Sequence, residues 1–262
     1  MTRRPPPPAL DLAEIALFLD YDGTLIPYAV AEPGRPRADP TLPPLLETLV
    51  DETGGATALV TGRGVAELDA LIAPLRLPVS GTHGAELRRR AGAPTEVLFR
   101  TDDVDAVEAE VRAFVGDAAG LRVERKPMTV VLHFHDRLDL EAEIVARSRL
   151  IGEDRPDVVP QLGNGIVEFK PAGADKGFGI ARLMETAPFC DRRPVFVGDD
   201  IPDEAGFAVV EAFGGVTIRV GAGASRARHG LADAAAVRAW LRDLAGGEPS
   251  GRRGGAQDSA RL

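Results

Sequence analysis

The sequence predicts an α/β protein, a doubly wound parallel sheet of Rossmann-like type with an α+β cap domain inserted into it. Three observations carry this. Short continuous apolar runs at residues 15–19, 56–60 and 194–197 each close on Asp, Thr or Gly, as strands buried on both faces of a parallel sheet do. Helical stripes alternate with these runs, which implies right-handed parallel crossovers. From about residue 101 to residue 170 the order becomes helix, two strands, helix, two strands, which does not continue a parallel sheet.

In chain order, residues 1–12 read as a flexible arm, basic and proline-rich at its start. The core is expected over residues 13–100 and 171–246. Its first strand, Ile15-Ala-Leu-Phe-Leu19, runs into Asp20. Residues 27–44, rich in proline, read as a loop, and Leu45, Leu46, Leu49 and Val50 then give a helical stripe that Gly54-Gly55 breaks. A second strand ends at Thr61-Gly-Arg-Gly64 and a helix carrying Val65, Leu68, Leu71 and Ile72 follows. A third strand over residues 77–80 leads into Gly81-Thr-His-Gly-Ala-Glu86, and Arg88-Arg-Arg90 reads as a solvated turn. The cap, residues 101–170, opens with a helix on Val104, Val107, Val111 and Phe114. Strands then fall at 121–126 and 129–135, a helix at 140–151, and strands near Val158 and at 166–169. The core resumes with a helix at 175–184, a strand at 194–197, a helix at 203–210, a strand at 216–220 and a last helix around 237–244 with Trp240 as core packing. Residues 247–262, rich in Gly, Arg and Ser, read as a disordered tail.

Composition narrows the function. The 262 residues are 44% hydrophobic and 27% charged, ordinary globular values, and the formal charge of -9 argues against nonspecific binding to nucleic acid or to an anionic membrane surface. One cysteine, Cys190, allows no intrachain disulfide and reads as a core thiol in a reducing compartment. No apolar run is long enough to span a bilayer and the first residues lack a signal-peptide pattern, so a cytoplasmic monomer is expected.

The chemistry lies in two acidic clusters, each at the end of an apolar run. Asp20-Tyr-Asp-Gly-Thr24 puts two carboxylates two residues apart, and Gly198-Asp-Asp-Ile-Pro-Asp203 supplies three more. A parallel sheet can bring both to its carboxyl edge. Converging carboxylates repel unless a cation or a proton neutralises them, and Mg2+ prefers such hard oxygen ligands. Thr61, at the end of a strand, and Lys176, at the start of a helix, add the hydroxyl and ammonium that phosphoryl transfer uses for positioning and charge neutralisation.

These motifs, in this order, resemble the haloacid dehalogenase superfamily of phosphatases. Within it the chain is similar to the trehalose-6-phosphate phosphatase family through Leu59-Val-Thr-Gly-Arg63, Gly81-Thr-His-Gly-Ala-Glu86, Val123-Glu-Arg-Lys126, Val167-Glu-Phe-Lys-Pro171 and Gly198-Asp-Asp-Ile-Pro-Asp-Glu204, over about residues 16–244. The resemblance implies Asp20 as nucleophile and metal ligand, Asp22 as acid and base that also binds the metal through its carbonyl, and Asp199 as a further ligand. Asp200 and Asp203 would ligate through water or orient the other ligands. Thr61 and Lys176 would hold the phosphoryl oxygens. Arg63 and His83 would line the substrate cleft from the core, with Glu124, Lys126 and Glu168 reading the sugar from the cap. Mg2+ is the implied cofactor and a small sugar phosphate the implied partner. Trehalose 6-phosphate is the expected substrate, with sucrose phosphate or mannosyl-phosphoglycerate as the alternative. Three positions depart from the family pattern: Pro202 replaces a threonine, His135 an arginine and Asn164 a lysine. A receiver domain places similar residues at a sheet edge, but it lacks a cap-sized insert and an acid two residues after the phosphorylated aspartate. A sugar-phosphate binder without catalysis is a third reading, against which every catalytic residue type is present.

Overall fold

A computed structural model describes residues 4–27, 38–99 and 103–246. Parts of the expected arm, of the 27–44 loop and of the start of the cap, and all of the expected tail, lie outside the described residues.

The elements in chain order are β1 (Ile15–Leu19), α1 (Leu42–Glu52), β2 (Thr57–Val60), α2 (Val65–Leu71), β3 (Val79–Gly81), β4 (Glu86–Arg88) and β5 (Glu96–Val97). Then come α3 (Val104–Val115), β6 (Arg122–Arg125), β7 (Val130–His133), α4 (Glu141–Glu153), β8 (Val158–Gly163) and β9 (Ile166–Pro171). The chain continues with α5 (Lys176–Met184), β10 (Arg193–Gly198), α6 (Asp203–Ala212), β11 (Val216–Val220), β12 (His229–Leu231) and α7 (Ala234–Gly246). Among the described residues the strands form an eight-stranded sheet, in the order β12-β11-β10-β1-β2-β3-β4-β5, and a four-stranded sheet, β6-β7-β9-β8.

In the large sheet every pairing from β12 to β3 is parallel, as the strand–helix alternation requires. β1 shows why its run is continuously apolar. Ile15, Leu17 and Leu19 enter the core beneath α1, α2 and α7, whereas Ala16 and Phe18 enter the core beneath α5 and α6. Phe18 stacks on Phe189 with centroids 5.5 Å apart and Phe196 packs on Phe207 at 5.2 Å, so the face beneath α5 and α6 is closed by aromatic contacts as well as by buried area. Trp240 packs partly buried against the α7 side, in line with the sequence.

Four local expectations need correction. α1 starts at Leu42, inside the expected loop, because prolines in a first helical turn lose no intrahelical hydrogen bond. After β3 the chain turns back into the antiparallel pair β4 and β5, so this edge of the sheet is not parallel. Arg88 is consequently not in a solvated turn but fully buried on β4. Its Nε donates to the Leu77 carbonyl at 2.6 Å and its two terminal nitrogens grip Asp69 at 2.8 and 2.5 Å, which satisfies a charge the core would otherwise reject. Cys190 is a free thiol, half-buried rather than in the core.

The small sheet is antiparallel, with one apolar face. Val130, Leu132, Val167 and Phe169 pack with Val107 and Val111 of α3 and Ile144 and Ile151 of α4. Because strand side chains alternate, the opposite face carries Glu124, Val131, His133 and Glu168 from the paired strands β6, β7 and β9. That face is polar. Beside the β12 edge of the large sheet, Arg4 donates to the carbonyls of Ala227, Gly223 and Ser225, tying down part of the arm. No helix among the described residues is long and apolar enough to cross a membrane.

Candidate active site

At the carboxyl edge of the parallel strands, β1 leads into Asp20, β10 ends next to Asp199, and Asp203 opens α6. One carboxylate oxygen from each of the three lies within 4.8 Å of the others. Asp20 continues the face of Ala16 and Phe18, toward α5 and α6, and those helices supply the partners. Lys176, the first residue of α5, donates to Asp20 Oδ1 at 2.8 Å and to Asp203 Oδ1 at 2.6 Å. The other oxygen of Asp203 accepts the N–H groups of Asp199 and Asp200 at 2.8 and 2.9 Å, so this fully buried carboxylate holds the loop that carries Asp199. Gly198 is required here, since a Cβ would run into the Asp203 side chain. Pro202 sits at the start of α6 with φ -58, a value proline adopts without strain, and makes no side-chain cap.

The sequence named Thr24 in its motif without giving it a role. Its hydroxyl donates to Asp199 Oδ1 at 3.0 Å and lies 3.5 Å from Asp20 Oδ2, so it links the two acidic clusters. Beside Asp199 a cleft of about 450 Å³ opens between Gly23, Pro27, Val220 and the start of α7 at Asp233 and Ala234.

Charge at this site is unbalanced. Burial raises the Asp20 pKa well above the usual carboxylate range; Lys176 pulls it down, while Asp203 and Asp199 push it up. Asp199 is raised to about 6 by burial and by the Asp203 charge. Burial opposes the Lys176 ammonium, but Asp20 and Asp203 outweigh it and hold the lysine charged. Three carboxylates against one ammonium leave an excess of two negative charges when all are ionised. An all-oxygen donor set with that excess fits a hard divalent cation.

Asp22 lies outside this trio. Both its oxygens are taken by Arg63, from Nε at 2.6 Å and Nη2 at 2.7 Å, while Nη1 of the same guanidinium reaches Glu67 in the first turn of α2. The guanidinium also lies 5.7 Å from the centroid of the Tyr21 ring. The arginine expected to line the cleft for substrate is therefore engaged by protein carboxylates. Thr61 is buried just beyond β2, and its hydroxyl accepts the Arg63 N–H at 3.1 Å. Asp200 also stays outside the trio, and its Oδ2 accepts the Asn164 N–H at 3.1 Å.

The cap residues meet the core through His83. Its Nε2 is 3.0 Å from Glu168 Oε2, and both side chains are buried. Glu168 Oε1 accepts from Thr129 at 2.6 Å and is 3.5 Å from the Lys126 ammonium. Glu124 pairs with His133 at 2.8 Å rather than with Lys126. The His83 loop is tightly set: Thr82 and His83 have φ of 47° and 54°, and Gly84, at 99°, backs onto the Asp175 carbonyl so closely that no Cβ fits. Asp175 is the N-cap of α5, accepting the Phe178 N–H at 2.6 Å, so this loop and Lys176 are positioned by one contact region.

Burial alone would raise the Glu168 pKa, yet Lys126, His83 and the hydrogen bonds from His83 and Thr129 hold it well below its usual range. A depressed folded pKa gives stability that is complete above the ordinary glutamate value and is lost as pH falls toward the folded value. Glu168→Gln is therefore expected to destabilise the protein by roughly 3 kcal/mol at neutral pH. The gap from wild type should begin to narrow below about pH 5 and go on narrowing through about pH 3 toward the depressed folded value in paired thermal melts. A gap that stays constant over that range would refute the ionised role.

Sequence reasoning missed Thr24, Glu67, Thr129 and the Asn164 backbone. Glu67 had a weak signal, standing four residues after Arg63, in the first turn of α2. Thr129 and Asn164 had none, because their partners are 39 and 36 residues away.

Known proteins of similar family, sequence and structure agree. The family described as Trehalose-phosphatase matches residues 18–236. A trehalose-6-phosphate phosphatase of Escherichia coli (strain K12) is 36% identical over 235 residues, covering 87% of this chain and 86% of that one. A protein of Sinorhizobium fredii (strain NBRC 101917 / NGR234) named "Probable trehalose-phosphate phosphatase" is 37% identical over 238 residues, covering 90% and 89%. Among solved structures, that of a trehalose-6-phosphate phosphatase related protein superposes with a TM-score of 0.68 at 28% identity, covering 87% of this chain and 96% of that one.

Proposed function

The chain belongs to the trehalose-phosphatase family, and from that premise we propose that it hydrolyses trehalose 6-phosphate to trehalose and inorganic phosphate through an aspartyl-phosphate on Asp20. The observation that carries the mechanism is the buried Asp20–Lys176–Asp203 arrangement beside Asp199.

Asp20, Asp199 and the Asp22 carbonyl would hold a Mg2+ ion, with Asp203 fixing the loop behind Asp199. The ion, when bound, neutralises charge on the transferring phosphoryl group. Asp20 attacks phosphorus as the bond to the sugar oxygen breaks, and Asp22 gives that oxygen its proton. In the second half, Asp22 takes a proton from water as the water oxygen attacks phosphorus. The bond to Asp20 then breaks, releasing phosphate and restoring both carboxyl groups. Lys176 and Thr61 hold the phosphoryl oxygens throughout. Glu168, on the polar face of the small sheet, meets His83, and with Glu124 and Lys126 it would bind the sugar while the cap excludes bulk water. Because Arg63 grips both Asp22 oxygens, its part is read as a contact with the acid rather than with the substrate. The single half-buried cysteine suits a cytoplasmic address.

The test is phosphate release from trehalose 6-phosphate, sucrose phosphate and glucose 6-phosphate, with Mg2+ or with EDTA. Release is expected to be at least about tenfold faster in kcat/KM from trehalose 6-phosphate and to vanish in EDTA. Equal release from all three would keep the phosphatase and remove the substrate, and release that survives EDTA would remove the metal.

A further inference from the structure

Of the three aspartates that follow Gly198, Asp199 and Asp203 belong to the carboxylate trio and Asp200 does not. Asp200 instead reaches the other sheet. Its Oδ2 accepts the backbone N–H of Asn164 at 3.1 Å, at the two-residue turn between β8 and β9. The flanking pair Gly163 and Ile166 closes that hairpin, so the exposed Asn164 N–H at its tip stands outside the ladder and points to Asp200 instead. Gly163 makes room for it: a Cβ there would stand 3.3 Å from Asp200 Oδ2. On the core side the acceptor is held in place, because the Asp200 N–H is bound by the buried carboxylate of Asp203.

We propose that Asp200 is a cap-docking residue: its carboxylate receives the tip of the β8–β9 hairpin and so sets the position of the cap over the active site. The proposal builds on the phosphatase reading for its kinetic readout. The hairpin tip is continuous with β9, where Glu168 lies only two residues past Ile166 and meets His83 at a further cap–core contact. Asp200 is also next to Asp199, so arrival of the cap is felt one peptide away from the carboxylate cluster. A charged acceptor suits the task, because a hydrogen bond to a carboxylate is stronger than one to a neutral oxygen and can form and break as substrate enters.

Four variants separate docking from metal binding: Asp200→Ala, Asp200→Asn, Asn164→Pro and the double variant Asp200→Ala/Asn164→Pro. Asn164 is not among the residues of positive φ and its N–H serves no ladder bond, so proline takes away the donor without breaking a β8–β9 ladder bond. Asp200→Ala and Asn164→Pro are each expected to lower kcat/KM for trehalose 6-phosphate about tenfold, and the double variant no further. Asp200→Asn, which keeps an acceptor oxygen, should stay within about threefold of wild type. Mg2+ affinity by calorimetry should be the same in all. Amide hydrogen exchange over residues 158–171 should quicken in Asp200→Ala and Asn164→Pro but not in Asp200→Asn, a readout that needs no turnover. Weakened Mg2+ binding in Asp200→Ala, additive losses in the double variant, or unchanged exchange would each overturn the docking role. A wild type inactive on every sugar phosphate would overturn the phosphatase reading instead, with the exchange experiment still deciding on the dock.

Discussion

Asp20→Asn is expected to lower kcat by roughly 10^4-fold or more while the protein stays folded. The amide matches the carboxylate in shape, so the surrounding packing has nothing to lose, but it is a poor nucleophile and carries no charge. The folded state should even gain in the absence of metal. Asp20 is a buried carboxylate with a raised pKa, facing Asp203 and Asp199, and the substitution removes one of the two excess negative charges while Lys176 keeps Asp203 as a partner. Three measurements check this together: phosphate release, the mass of acid-quenched enzyme after mixing with substrate, and thermal melts with and without Mg2+. The wild type should show the added mass of one phosphoryl group and the variant none. The melting temperature of the metal-free variant should equal or exceed that of wild type, and the rise on adding Mg2+ should shrink. Turnover within tenfold of wild type would remove Asp20 as nucleophile.

Lys176→Met is expected to damage stability as well as rate. The ammonium is buried between two buried carboxylates, and removing it leaves Asp20 and Asp203 without their counter-charge. Breaking a buried pair from one side costs about 3–5 kcal/mol. In a protein of this size that lowers the melting temperature by about 2–4 °C for each kcal/mol, so on the order of 10 °C. The rate should fall by roughly 10^2- to 10^4-fold, since a preorganised positive charge is lost from the phosphoryl site. The stability loss should narrow on acidification, as protonation of Asp20 relieves the repulsion, and should narrow again with Mg2+. A variant as stable as wild type at neutral pH without metal would show that the carboxylates are neutral there, and the charge excess at this site would be refuted.

The architecture could be read in advance where its cause is local. An apolar run such as 15–19 must be buried on both faces whatever surrounds it, and a carboxylate that ends such a run must lie at the sheet edge. Asp20, Asp199, Asp203 and Lys176 therefore came out of the pattern, and the structure brings them together. The cap followed from the order of its elements, helix, two strands, helix, two strands, which a parallel sheet does not continue.

What the pattern could not supply is the choice of partner among residues distant in sequence. Arg63 has one local carboxylate within reach and one 41 residues back, and nothing in its surroundings along the chain says that it grips both. Thr24 finds Asp199 across 175 residues, and Asp200 finds a backbone N–H in the cap. Arg88 looked solvated because two arginines follow it; it is buried because the chain reverses after β3 and carries it over Asp69 and the Leu77 carbonyl. Burial preference is a property of a stretch of chain and is written in its spacing. Pairing of charges and donors is a property of a place in space, and it exists only once the parallel crossovers and the inserted cap have brought distant residues to the same edge of the sheet.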